Sequence, residues 1–196
     1  MSRTSDTDVE ATFGREGYVY DPLGNKQEDP VTGIDAFYSS IASHDWKALG
    51  FPSLKTAKFW DVRSCGVACL RMVYGRLKPD VEVLPATVIE ELLRNGAYSE
   101  EFGWNHEGLA SHARHYGLKA ERLEFSTPKA FVDVVHKPGA LIVSIGHSFD
   151  RDAGVTNDGH LLIHRPSSQH PTRGRALRVD LPTFWNHFSG RGIHFE

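Results

Sequence analysis

Arg63-Ser64-Cys65-Gly66-Val67-Ala68-Cys69-Leu70-Arg71-Met72 runs from a polar approach into an apolar helix that opens on a thiol. A helix start suits a negative sulfur, because its first N–H groups lack intrahelical partners and the macrodipole is positive there. The thiolate is the reactive form of cysteine, so this placement makes Cys65 a candidate nucleophile. Gly66 leaves room for a substrate backbone beside the sulfur. The plainer reading is an inert, buried cysteine, common in apolar runs. Cys69, one turn later between Ala68 and Leu70, reads as core. Positions i and i+4 share a helix face, but no second CxxC or HxxxH completes a metal set.

Working outward, Cys65 to about Tyr74 is one helix, with Gly75 and then Pro79 as its stop. Pro85 to Arg94 is a second, with Val88 and Leu92 on one face and Gly96 beyond its end. Asn105 is a good N-cap for a third, to His115, with Leu109 and Ala113 inward and Gly117 closing it. Lys119 to Phe125 alternates as a half-buried strand. Ser126 or Thr127 caps a helix to His136. Ala140 to Ile145 is a continuous apolar run and reads as a central strand. Gly159 to His164 and Arg175 to Val179 are two more strands, Pro182 to Phe188 the last helix, and Ile193 to Phe195 the last strand. Helices first and strands later give an α+β layout, with helices packed on an antiparallel sheet.

Two histidines can serve as a base for the thiol. Histidine suits because its pKa lies near neutral, and an imidazolium beside a thiolate stabilises both. His160 opens an apolar strand after Gly159. His147 directly follows the central strand and also has a Gly before it. His160 is preferred, because Ser148 to Asp152 looks like a loop. For either residue, a strand-end histidine satisfied by a turn is the bland alternative. Asp180 ends the strand from Arg175. It is a candidate third member beside the histidine strand, or simply the N-cap of the helix at Pro182, which is the plainer reading. Ser64 and the Cys65 N–H are candidates for an oxyanion hole. Trp60 and Trp104 line a substrate cleft or, more plainly, pack.

The stretch Trp60 to Val73 resembles the nucleophile motif of the C39-like cysteine peptidases, Cys-Gly-x-Ala-Cys-Leu-x-Met-Val. Gly103-Trp104-Asn105-His106-Glu107-Gly108-Leu109, followed by Ala113 and Tyr116-Gly117-Leu118, is similar to a second block of that family. Gly159-His160-Leu161-Leu162-Ile163 resembles its histidine strand, and Asp180 through Gly192 resembles its closing helix and strand. The resemblance covers about residues 50 to 196. It implies a papain-like fold and a Cys65–His160 pair that forms an acyl-enzyme on a peptide, amide or thioester bond. Water or an amine then releases the acyl group, as in a hydrolase or an acyltransferase. The partner so implied is a peptide or small acyl substrate, with no metal and no cofactor. If the family's histidine hairpin is kept at full length, counting back from Pro166 favours His147. Where bacteriocin-processing members carry an oxyanion-hole Gln, this chain has Phe59. Where the family has Asp before Pro, it has Arg165, which accepts no hydrogen bond. Those two positions support the alternative, a lapsed papain-like domain that binds a peptide or protein partner.

Composition bounds the rest. Against 22 Lys and Arg stand 25 Asp and Glu, a net charge of −3. No basic stripe points to nucleic acid. At 196 residues one domain with a real core is expected, here residues 46–196, with residues 1–45 a polar, turn-rich extension docked on it. Ile34, Phe37, Tyr38 and Ile41 suggest a short amphipathic helix within that extension. Met1 to Glu10 lacks the apolar core of a secretory signal. No apolar stretch is long enough to span a membrane. Two cysteines make no disulfide scaffold. A cytoplasmic protein is expected, a stand-alone processing enzyme for a modified peptide or small natural product.

Overall fold

The structure is a computed structural model that describes residues 9–14, 46–146, 149, 161–166 and 177–196. Its elements, in chain order, are β1(Val9–Gly14), α1(Leu54–Asp61), α2(Cys65–Leu77), α3(Pro85–Arg94), β2(Tyr98–Ser99), β3(Gly103–Trp104) and α4(His106–His115). There follow β4(Ala120–Glu124), α5(Pro128–Val135), β5(Ala140–Ile145), β6(Leu161–His164), β7(Leu177–Val179), α6(Leu181–His187) and β8(Phe188–Phe195).

Side-chain caps start four of the helices. Ser53 accepts from the Thr56 N–H, Asn105 from Gly108, Thr127 from Ala130 and Asp180 from Thr183. Each satisfies a donor that the first turn would otherwise leave without a partner. Helix α2 runs past its expected end. Gly75 costs about 1 kcal/mol inside a helix, and Leu77 beyond it packs against the buried core, which offsets that cost. The stop is Pro79, which disfavours helical backbone at Lys78.

Six strands form one sheet in the order β4-β8-β5-β1-β6-β7, every pairing antiparallel. Helices cover both faces, and the alternation of the strands divides the core in two. Ala140, Ile142, Ile193 and Phe195 pack with the buried faces of α2, α3 and α4. Leu141, Val143, Ile145, Leu161, Ile163 and Val179 pack with Phe131 and Val135 of α5 and Phe184 of α6. Strand β5 is therefore buried on both faces, which is why Ser144 is its only polar residue. The α+β class, with helices packed on an antiparallel sheet, is what the structure has.

The strand within residues 9–14 was not foreseen, and it is not at an edge. It lies between β5 and β6, with all six residues paired to β5. Helix α1 and the small β2–β3 hairpin are also additions to the sequence reading. Strand β8 is longer than expected, because Phe188 pairs with Ile145 after a register irregularity opposite Ser144. The helix expected over residues 34–41 lies outside the described residues.

Candidate active site

Cys65 is the first residue of α2 and Ser64 its N-cap. The thiol is partly exposed, whereas Cys69 is wholly buried, and neither is in a disulfide. No side-chain cap bonds to the first turn of α2. Ser64 is buried, and its hydroxyl turns back toward the Asp61 carbonyl at 3.5 Å. A side chain so placed does not face an incoming substrate, which leaves main-chain N–H groups as the donors at this helix start.

Two contacts set how α2 lies beside α4. The Trp104 indole N–H donates to the Arg63 carbonyl at 2.6 Å, two residues before Cys65. Further along both helices, the Tyr74 hydroxyl meets His112 Nδ1 at 2.6 Å. The helices therefore run in the same general sense, with Cys65 and His106 as their respective first residues at one end. His106 Nε2 lies 2.8 Å from Ser144 Oγ on β5, which ties the start of α4 to the sheet. Trp60, Trp104 and the partly buried Tyr98 form an aromatic cluster beside this end, with ring centroids 4.8–5.6 Å apart. The two tryptophans are wall and anchor here, each under a tenth exposed.

Phe59 stands on α1 and is 43% exposed. The Arg63 guanidinium lies over its ring at 4.3 Å and donates to its carbonyl at 2.9 Å. This pair offers an apolar and cationic surface where a side-chain amide would offer a neutral donor.

The candidate bases His160 and His147 lie outside the described residues. Asp180 lies within them. Its Oδ1 accepts from the Thr183 N–H at 2.8 Å and its Oδ2 from the Thr183 hydroxyl at 2.6 Å. It is thus the N-cap of α6. Strand β7 ends just before it, with Val179 opposite Leu161 of β6. In the chain, His160 directly precedes Leu161 and Asp180 directly follows Val179.

A polar chain behind the site, with Tyr74 and His112 buried and Glu91 and Tyr116 partly so, went unread in the sequence. His112 Nε2 donates to Glu91 Oε2 at 2.9 Å, and Tyr116 donates to the same oxygen at 3.0 Å. With Nε2 protonated, Nδ1 accepts from Tyr74, so every member of Tyr74–His112–Glu91–Tyr116 is satisfied. Burial pushes the His112 pKa below its usual value, against the raising effect of Glu91. Burial likewise raises Tyr74, helped by Tyr116 and Glu91. The signal was present: His112 lies three residues after Leu109, on the inward face of α4.

No protein-family profile matches the chain, and no curated protein matches it. Among solved structures it is similar to a double-glycine-motif protease from an AMS/PCAT transporter, determined in complex with the leader peptide. The TM-score is 0.44 and the identity 20%, over 67% of this chain and 82% of that one. By its own geometry the chain is an α+β protein with a partly exposed thiol at the start of a sheet-packed helix. Among the described residues no helix is long and apolar enough to cross a membrane.

Proposed function

We propose that this protein is a papain-like cysteine hydrolase or acyltransferase that acts on a peptide, amide or thioester bond, with Cys65 as nucleophile. One observation carries the reading: a partly exposed thiol at the first residue of a 13-residue helix whose first turn holds no side-chain cap. His160 is the base we favour and His147 its rival. The pairing of Leu161 with Val179 supports His160, since the chain neighbours of that pair are His160 and Asp180. Asp180 is then the group that orients the ring.

In this reading the imidazole takes the thiol proton and Cys65 Sγ attacks the carbonyl carbon. The tetrahedral oxyanion is met by N–H groups of the α2 start. Its collapse breaks the bond to the leaving group, which receives the proton from the imidazolium. The acyl group, now a thioester on Cys65, passes to water or to an amine. A modified peptide or peptide-like natural product is the proposed substrate, and a cytoplasmic setting, where thiols stay reduced, suits the chemistry.

Intact-mass measurement after incubation with activated acyl donors tests the reading. A mass gain absent from Cys65→Ala is expected. No adduct with any donor, together with iodoacetamide labelling at about pH 6 no faster than a free thiol, would sink it. That outcome would favour the second reading, a papain-like domain without activity that binds a peptide or protein partner, which the exposed Phe59 ring under the Arg63 guanidinium supports.

A further inference from the structure

The slot between β5 and β6 has a peculiar occupant. Strand β1 comes from far upstream in the chain, yet it forms an interior rung of the sheet. Its six residues pair antiparallel with β5, from Val9 opposite Ile145 to Gly14 opposite Ala140. On its other side Thr12 stands opposite His164 and Phe13 opposite Ile163. Both walls are thus antiparallel to β1, and β5 and β6 run in the same direction as each other. Neighbouring strands lie about 4.8 Å apart, so β5 and β6 are roughly two such spacings from each other, too far to pair directly. Without β1, two rows of main-chain N–H and C=O groups face an empty gap.

Among the described residues, β1 is also the only strand pairing that joins β4, β8 and β5 to β6 and β7. The halves cannot be a single sheet unless that slot is filled. The sequence of the segment suits it. Val9, Ala11 and Phe13 alternate with Glu10 and Thr12, and there is no proline to break either ladder. The apolar positions stand in register with Ile145, Val143, Leu141 and Ile163, all buried in the core shared with α5 and α6.

We infer that the gap between β5 and β6 is a strand-acceptor site whose resident ligand is the chain's own Val9–Gly14. The site takes an extended peptide of six residues, apolar at alternate positions and free of proline, antiparallel to both walls. Main-chain pairing supplies the affinity and the alternating apolar positions supply the register. Once the chain is cut after Gly14, the tether is lost and a free peptide of the same pattern competes for the slot. The inference requires no thiol chemistry and goes beyond the reading of Cys65.

The test uses the full chain with a protease site inserted after Gly14. Once cut, the fragment should remain bound through gel filtration. A dye-labelled peptide with the sequence of residues 6–16 should then exchange into the slot saturably. The same peptide carrying Thr12→Pro should bind at least about tenfold more weakly, since proline has no N–H for a ladder. Equal binding of both peptides would overturn the assignment. So would release of the fragment from a chain that keeps the melting point of the uncut protein. Should the cut chain precipitate, the uncut chain decides. There Thr12→Pro should lower the melting point by about 4 °C or more while Thr12→Val does not, and a Thr12→Pro chain that melts with wild type overturns it. Iodoacetamide labelling of Cys65 in the intact chain is a separate arm. A slow thiol there counts against the hydrolase reading and leaves peptide exchange to be judged by itself.

Discussion

Asp180 carries two duties in our reading, and a single atom change separates them. As N-cap of α6 it accepts two hydrogen bonds from Thr183. Asparagine caps as well as aspartate, and its amide can donate to the threonine hydroxyl in place of accepting from it. Asp180→Asn should therefore leave stability within about 0.5 kcal/mol of wild type in urea unfolding. It should slow acyl transfer to Cys65 by roughly a hundredfold or more, because an amide orients the imidazole in the wrong tautomer. Asp180→Ala should lose both, with about 1 kcal/mol from the cap. Equal rates in Asp180→Asn and wild type would leave Asp180 a cap alone.

Trp104 gives a second test on the same scale. Its indole N–H holds the Arg63 carbonyl and so the approach to Cys65. Trp104→Phe keeps the ring in the aromatic cluster and removes that bond, leaving a carbonyl without its donor. A loss of about 1–2 kcal/mol is expected, with slower iodoacetamide labelling of Cys65 in the same protein. Labelling at the wild-type rate would show that the approach to the thiol is held by other contacts. Cys65 itself was legible because Cys-Gly before an apolar run is local information. The Trp104–Arg63 contact spans 41 positions of the chain, and nothing in either residue's neighbourhood announces it.

At the scale of elements, the chain Tyr74–His112–Glu91–Tyr116 ties α2, α3 and α4 together beneath the helix that presents the thiol. The pH dependence follows from the lowered pKa of His112. In the unfolded chain the ring takes a proton as pH falls through about 6.5. In the folded protein it resists doing so, because burial disfavours the cation. The unfolded state then holds more protons, so the stability present above about pH 6.5 is lost as pH falls toward the lower folded pKa. Melting points should drop between about pH 7 and pH 5, and His112→Asn should flatten that slope while lowering stability at pH 7 by about 1–3 kcal/mol. Calorimetry of both proteins across that range checks the sign; parallel slopes would assign the pH response to other groups. The helices themselves were legible where caps and stops are local. Pro85–Arg94 and the Asn105-capped α4 have the bounds that the sequence suggests. The overrun of α2 past Gly75 was not, because burial by distant elements outweighs a local propensity.

Over the whole molecule, the strand of residues 9–14 was hidden in plain alternation. Val9-Glu10-Ala11-Thr12-Phe13 has period two, but so short a run inside a polar segment gains meaning only from β5 and β6, more than a hundred positions away. The same long-range closure shapes the far end of the sheet. Gly139 has φ +112, and a Cβ there would collide with the main-chain carbonyl of Phe195. That carbonyl belongs to β8, whose Phe195 pairs with Ala140 and Ala120 at once, so the backbone has no direction in which to yield. Gly96 makes a fair control, with φ +67 and open space around the position. Gly96→Ala pays only for the left-handed backbone, about 1–2 kcal/mol. Gly139→Ala adds the clash and should cost several kcal/mol, about 3–5 in all. Urea midpoints of the two variants give the comparison. Equal losses would mean that β5 and β8 can part at that corner, and that the sheet is not held as one piece by its C-terminal strand.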